Sequence, residues 1–180
     1  MFVNFFLKSL FLLLISIGSA NAAVLMSKEE AMEAAFGKDA AIETLPIFID
    51  DVQEAEIQRQ AKMKLDTRLF HFFEGRRNGA VIGYAAIDTH TVRTQQETIL
   101  VMLSPAGKLQ RVIILAFHEP PEYRSPARWL DTLPAVQPDA LFLSQGVDAV
   151  SGATLTSRAV VDAARRVTTV FHVAFKPEGQ

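Results

Sequence analysis

At positions 148–157 the sequence reads DAVSGATLTS, the stretch of the chain poorest in bulky side chains and richest in hydroxyls. Gly152 and Ala153 leave the backbone nearly bare, so a ligand can approach closely, and Gly152 can adopt a positive φ at little cost. Beyond the stretch, apolar residues recur at helical spacing: Val160, Val161, Ala164, Val167 and Phe171. The sequence therefore predicts a small-residue loop at the N-terminus of the last helix.

A helix N-terminus has unpaired backbone N–H groups and the positive end of the helix dipole, and both favour an anion such as phosphate. Ser, Thr and Gly are also common helix caps. From spacing alone, a phosphate site and a merely capped helix start are both open interpretations.

The residues themselves resemble the flavinylation motif of the FMN-binding domain family. In that motif an Asp and two variable residues precede Ser or Thr, Gly, Ala, and a Ser or Thr that carries FMN through a phosphoester. The family includes the C subunit of the sodium-translocating NADH:quinone oxidoreductase and the G subunit of Rnf complexes. Here the motif positions are filled by Asp148, Ser151, Gly152, Ala153 and Thr154.

The resemblance implies that Thr154 is the attachment residue for covalent FMN. The neighbouring motif residues, together with Leu155 and Thr156, are the expected cofactor-binding residues. The resemblance also implies a maturation partner, a magnesium-dependent flavin transferase that uses FAD as donor. This chain would then need no general base of its own beside Thr154.

Residues 1–22 are typical of a secretory signal peptide, with Lys8 before an apolar run and a small-x-small site at Ala20-Asn21-Ala22. We expect cleavage before Ala23, leaving residues 23–180 as one FMN-binding domain; an uncleaved anchor is the alternative. The expected location is the periplasm or the outer face of the cytoplasmic membrane.

The chain has no cysteine, which excludes disulfides, thiolate metal sites and C-x-x-C-H haem attachment. The net charge of −2 does not indicate a nucleic-acid partner.

The remaining sequence predicts an α+β domain. A capping box at Ser27 opens a helix that continues to Phe36, and a second helix is expected from Asp50 and Asp51 to about Leu65, with Pro46 in the connection between them. Four β-prone runs follow at 69–73, 80–87, 97–103 and 109–117, the first two separated by Asn78-Gly79. We therefore expect an antiparallel sheet of four or more strands with packed helices, and the flavin loop at the start of the C-terminal helix.

Weaker points of family resemblance lie upstream of the motif. Gly83-Tyr84 and His118-Glu119 stand where many members have similar residues, so His118 and Glu119 are further cofactor-binding candidates. In the respiratory subunits Thr-Pro-Gly usually follows this Glu, whereas Pro120-Pro121 stands here, so any flavin contact must differ in detail. An exposed connection from sheet to helix is an equal alternative.

Two further residues, Trp129 and Arg158, allow two interpretations each. Ser125-Pro126 is typical of an N-cap followed by Pro at the first helical position. This short helix contains Trp129, which either stacks on a flavin ring or packs in the core. Arg158 either pairs with the FMN phosphate or a partner, or lies on a solvated helix face.

Other chemistry is disfavoured by spacing. The four histidines are scattered without metal-ligand spacing, so no metal site is predicted, and Ser151 lacks a G-x-S-x-G context, so no catalytic nucleophile is predicted. The chain is therefore predicted to be an exported electron carrier rather than a stand-alone enzyme, with redox partner proteins that include membrane-bound ones. Two alternatives are a noncatalytic accessory module that binds a partner, and a flavin-dependent reductase with its own small substrate.

Overall fold

The computed structural model describes residues 23–175. The predicted signal peptide, residues 1–22, and residues 176–180 lie outside the described part of the chain. Within residues 23–175, no helix combines the length and the apolar character needed to cross a membrane.

One antiparallel sheet of six strands forms the centre of the domain, in the order β1-β6-β5-β4-β3-β2. The α+β class and the antiparallel sheet predicted from the sequence are confirmed. The strands are β1 (Ala23–Val24), β2 (Ala41–Phe48), β3 (Leu69–Arg77), β4 (Ala80–Thr91), β5 (Gln96–Leu103) and β6 (Leu109–Phe117). Successive hairpins join β3 to β6, so most neighbouring strands are also neighbours in sequence.

Four helices pack on this sheet: α1 (Lys28–Phe36), α2 (Asp51–Ala61), α3 (Ala127–Leu130) and α4 (Thr154–Ala174). Both early helices begin with a complete capping box, Ser27 with Glu30 and Asp50 with Gln53. Helix α2 ends at Ala61, earlier than expected, because Lys62 takes the left-handed conformation at φ 52°. Short 3-10 turns connect α3 to the loop that precedes α4.

The sheet separates two apolar layers. On one face α1 packs Met32 and Phe36 against Phe73 and Leu100. Gly75 lies under the Phe36 ring, and a Cβ built there would stand 2.2 Å from it. On the other face α4 lies across the central strands beside α2, and its buried stripe includes the predicted residues Val160, Val161, Ala164, Val167 and Phe171. The packing thus fixes where the start of α4, and with it the loop 148–153, stands over the sheet.

Two elements differ from the sequence-based expectation. The segment around Pro46, predicted as a connection, is the eight-residue strand β2, paired with β3 on one side only. Proline is tolerated there because an edge strand has a side without ladder hydrogen bonds. Before α3, Pro126 occupies the N-cap position and no side chain caps the helix. Ser125, expected as the cap, is instead buried, with its hydroxyl 3.5 Å from that of Ser157.

Candidate functional site

The loop 148–153 ends at the first residue of α4, and that residue is Thr154. The Thr154 side chain is exposed, and its hydroxyl donates a hydrogen bond of 3.3 Å to the carbonyl of Val150. Ala153 holds the N-cap position without a side-chain hydrogen bond to the helix. The backbone donors of the first turn are therefore not occupied by a cap from the chain itself.

The backbone beside Thr154 is open to approach. Gly152 has φ +82°, and a Cβ added there would meet no atom within 4 Å. Ser151 and Gly152 are both exposed, whereas the methyl group of Ala153 is buried. A ligand can thus reach the hydroxyl of Thr154 from the side of Gly152.

The other hydroxyls of the motif point inward and hold the loop. Thr156 is buried and donates a 2.6 Å hydrogen bond to the carbonyl of Tyr123. Ser157, also buried, donates to the carbonyl of Ala153 at 2.9 Å. Predicted as a cofactor-binding residue, Thr156 is placed so that its hydroxyl binds the protein. Only two of the four hydroxyls, those of Ser151 and Thr154, face solvent.

Trp129 fastens the beginning of the same loop. Its indole Nε1 donates a 2.8 Å hydrogen bond to the carbonyl of Asp148, and its ring packs partly buried against the main core. Of the two interpretations of Trp129, the structure favours core packing. Its hydrogen bond to Asp148 also connects α3 to the loop. The backbone carbonyl of Asp148 thus accepts the hydrogen bond from Trp129, while the residue itself is exposed.

A cleft of about 520 Å³ lies between the β4–β5 hairpin and the N-terminal half of α4, and we refer to it as the β4–α4 cleft. Leu155, next to Thr154, is half exposed at its wall, so the cleft adjoins Thr154. Its volume falls within the range of about 300–1,000 Å³ typical of sites for small molecules and cofactors. The lining residues are Asp66, Thr89, His90, Thr91, Val92, Gln96, Leu155, Arg158, Ala159, Asp162 and Arg166.

Charged side chains meet on the sheet side of this cleft. His90 Nδ1 lies 2.9 Å from Asp88 Oδ1, and His90 Nε2 lies 3.1 Å from Glu97 Oε2. Arg166 reaches the same Asp88 through Nη2, at 2.7 Å from each carboxylate oxygen. Asp88, His90, Glu97 and Arg166 therefore form one hydrogen-bonded chain, which we refer to as the charged chain.

The surroundings shift the pKa values of three members of the charged chain. Burial alone would lower the pKa of His90, but its hydrogen bonds to Asp88 and Glu97 raise it to about 9. Burial opposes ionisation of Asp88, yet its hydrogen bonds and ion pairs with His90 and Arg166 prevail and lower its pKa. For Glu97 burial dominates and raises the pKa, because His90 offsets it only in part.

The structure places Glu119 outside the cleft, against the backbone of the β4–β5 turn. Its Oε1 accepts hydrogen bonds from the backbone N–H groups of Arg93, Thr94 and Gln95, at 3.2, 2.7 and 3.0 Å. These bonds, led by the one from Thr94, hold the pKa of Glu119 below its usual value. Glu119 therefore shapes the hairpin whose flanking residues line the cleft, and it makes no direct contribution to the lining.

His118, the other predicted candidate, connects to the same hairpin through its backbone. Its N–H donates to the carbonyl of Gln96 at 3.0 Å, and its side chain is partly buried. Arg158, in contrast, lines the β4–α4 cleft with an exposed side chain, one turn after Thr154. The structure thus places Leu155 and Arg158 on the cleft wall, with Thr154 adjacent to Leu155, and leaves His118 and Glu119 outside the lining.

Sequence analysis missed the charged chain. Two of its members alternate on β4, as Asp88 and His90, and Glu97 opens β5, so hairpin register decides that His90 faces Glu97. The alternation of Asp88 and His90 is visible in the sequence. The register between β4 and β5, and the docking of Arg166 on Asp88, are not. Among residues 23–175, no group of three or more His, Cys, Asp or Glu side chains is arranged to hold a metal ion.

These features fit a phosphorylated ligand with a ring system, as FMN is. The exposed hydroxyl of Thr154 stands at an uncapped helix start, the open side at Gly152 leaves room for a phosphate, and the cleft has the volume for a ring. Its donor-rich wall, with Arg158, Arg166 and Gln96, suits the oxygen and nitrogen acceptors of such a ring.

Comparison with known proteins agrees with this fit. Residues 95–169 match the family model described as FMN-binding domain, a range that runs from the β4–β5 turn through β6 and the loop into α4. No curated protein and no solved structure matches the chain significantly. The match includes Thr154 and its loop, Arg158 and two members of the charged chain, Glu97 and Arg166. Over residues 95–169, less than half of the chain, the sequence therefore matches the FMN-binding domain family.

Proposed function

We propose that this chain is an exported electron carrier that holds FMN covalently through a phosphoester to Thr154. The observation that supports it best is the position of this hydroxyl, exposed at an uncapped helix start and beside a cleft of cofactor size. Bound FMN supplies the capacity to accept and donate one or two electrons.

The geometry around Thr154 accounts for phosphate binding at this residue rather than at a neighbour. The first-turn N–H groups and the helix dipole stabilise a negative charge. Arg158 stands one turn further along the helix, about 6 Å at 1.5 Å per residue, and its exposed guanidinium can pair with a phosphate oxygen. Thr156 and Ser157 are disfavoured because both hydroxyls are buried.

Attachment requires a second protein in this proposal. A flavin transferase breaks the pyrophosphate bond of FAD, joins the FMN phosphate to the Thr154 oxygen, and releases AMP, while the hydroxyl proton leaves to solvent. An exposed Thr154 suits such an encounter, since the transferase must reach the hydroxyl with a bulky donor. The chain contributes presentation of the hydroxyl and stabilisation of the phosphate charge.

Export is proposed from the signal-peptide pattern at residues 1–22. Covalent attachment suits that location, because a loosely bound cofactor would be lost from an open compartment. The partners are proposed to be redox proteins, including membrane-bound ones.

Intact mass of the denatured protein tests the proposal. The chain is produced with export and with a flavin transferase, and we expect a gain equal to FMN less one water, located on the peptide that contains Thr154. Thr154→Val should abolish the gain while the fold is kept, because the side chain is exposed and makes only one long hydrogen bond, of 3.3 Å. Ser151→Ala, the matched exposed hydroxyl of the same loop, should retain most of it.

An unmodified wild-type mass under these conditions would refute covalent carriage and favour the noncatalytic accessory module. Attachment that survives in Thr154→Val would move the bond to another hydroxyl. Turnover of a small substrate by the loaded, isolated protein would favour the flavin-dependent reductase.

A further inference from the structure

The charged chain joins the β4–β5 hairpin to α4, which is distant from it in sequence. Asp88 and His90 lie on β4, Glu97 lies opposite His90 on β5, and Arg166 projects from the middle of α4, 78 residues after Asp88. The side chains of all four are at most 17% exposed. Burying four ionisable groups together costs desolvation free energy unless the groups are well paired. Their clustering therefore calls for a functional explanation.

Hydrogen bonding identifies the charge state of His90. Both ring nitrogens face carboxylate oxygens, at 2.9 and 3.1 Å, and a neutral imidazole has only one N–H to donate. The protonated ring satisfies both acceptors, in agreement with its raised pKa. His90 is therefore a positive charge held on both sides in one orientation.

The negative members of the charged chain stand further from the cleft than its positive members. His90 and Arg166 line the β4–α4 cleft, while Asp88 and Glu97 do not. Glu97 is fully buried, and its Oε1 has no hydrogen-bond partner among the described residues. Asp88 and Glu97 therefore stand behind the two cations, so the charged chain presents its positive members to the cleft.

Three other charged side chains line the β4–α4 cleft. Arg158 adds a positive charge from α4, Asp162 adds a negative charge from the same helix, and Asp66 adds one from the segment before β3. Asp162 is paired with Arg165, whose Nη2 lies 2.7 Å from it. Arg158 and the two cations of the charged chain are therefore the positive groups of the wall, and Asp66 and Asp162 are its negative groups.

We propose that the charged chain is a positioning device that holds the His90 and Arg166 cations against the FMN ring and raises its reduction potential. The inference rests on the proposed function, since it takes FMN as the occupant of the cleft. The oxidised ring is neutral; with two electrons from a reductant and one proton from solvent it becomes a monoanion. A fixed positive charge nearby stabilises the monoanion more than the neutral ring.

One unit of charge in a partly buried site changes such an equilibrium by roughly tenfold. For a two-electron couple a tenfold change is about 30 mV. The two carboxylates keep His90 protonated and keep both cations in place, and this is their role in the proposal.

The experiment compares wild type with His90→Gln, which keeps polar contacts to the carboxyls but removes the charge. His71→Gln is the matched control, since His71 lies on β3 with an exposed side chain. Each protein is loaded with FMN to equal extent by mass, and its midpoint potential is measured at pH 7 by titration with a chemical reductant against a reference dye. We expect His90→Gln to lower the potential by about 30 mV, the tenfold change above, and His71→Gln to leave it unchanged.

Two measurements need no variant. Nitrogen NMR of the unloaded wild type should show both His90 ring nitrogens protonated at pH 7. The potential of the loaded wild type should fall more steeply with pH once the NMR signals report that His90 loses its proton.

A neutral His90 ring at pH 7, or equal potentials for wild type and His90→Gln, would overturn the inference while the proposed function stands. A chain that takes up no FMN would overturn both. An unfolded His90→Gln protein would leave the decision to the two wild-type measurements, each of which has a result that contradicts the proposal.

Discussion

Stability of the fold should depend on pH through His90. Its pKa is raised from 6.5 to about 9 in the folded protein. A cation that gains partners on folding contributes its full stabilisation below the unfolded pKa and loses it as pH rises through the folded one. We therefore expect unfolding free energy to fall between pH 6.5 and about 9.

The size of the effect follows from the same shift. At about 1.4 kcal/mol for each pH unit, the loss from His90 across this window is roughly 3 kcal/mol. Glu97, with its raised pKa, acts in the same direction at lower pH. Asp88, with its lowered pKa, contributes stability that is lost only as the solution becomes acidic.

Urea unfolding of the unloaded protein from pH 6 to pH 9.5, at constant ionic strength, measures this dependence. His90→Gln should flatten the curve across the window, and His71→Gln should retain the wild-type slope. Parallel curves for wild type and His90→Gln would refute the assignment of His90 as a charge stabilised by Asp88 and Glu97. Equal denaturant dependence in all three proteins would show that the unfolding transitions are comparable.

Three further predictions concern the frame of the site. Trp129→Phe keeps an aromatic ring but removes the donor to the loop carbonyl, so it should cost about 1 kcal/mol of unfolding free energy and speed hydrogen exchange in the loop; unchanged exchange would contradict the tie. Glu119→Gln weakens three backbone hydrogen bonds and should lower stability at pH 7 by about 1 kcal/mol, measured by urea unfolding, with no loss expected if the carboxyl merely faces solvent. Gly107→Ala should destabilise by about 1–3 kcal/mol, because its Cβ would stand 2.6 Å from the Phe171 ring. Gly79→Ala is the control, with a similar φ and no atom within 4 Å, and equal thermal midpoints for both variants would exclude the steric cause.

Local chemistry made several elements predictable. The capping box at Ser27 and the Asn78-Gly79 turn act over a few residues, so their sequence patterns and structures agree. Strand β2 escaped prediction because Pro46 normally indicates a connection, and only its place at the edge of the sheet makes it acceptable. Its edge position is a property of the sheet, and the segment alone carries no sign of it.

The site divides in the same way. The motif around Thr154 was recognisable because its small and hydroxyl residues stand at consecutive positions of the chain and resemble the flavinylation motif. The roles of Glu119 and Trp129 were not, since each acts through a hydrogen bond to backbone more than ten residues away. Both were candidates for flavin contact, and in the structure both support the elements around the cleft.

By itself, the sequence determined the α+β class and the small-residue loop that opens the last helix, and it predicts Thr154 as the attachment residue. Only the tertiary structure decided which hydroxyls of that loop are exposed, and that Arg166 meets Asp88 beside the cleft. The physical reason is range. Helix starts and tight turns depend on neighbouring residues, whereas burial and ion pairing depend on strand register and on how α4 docks across the sheet.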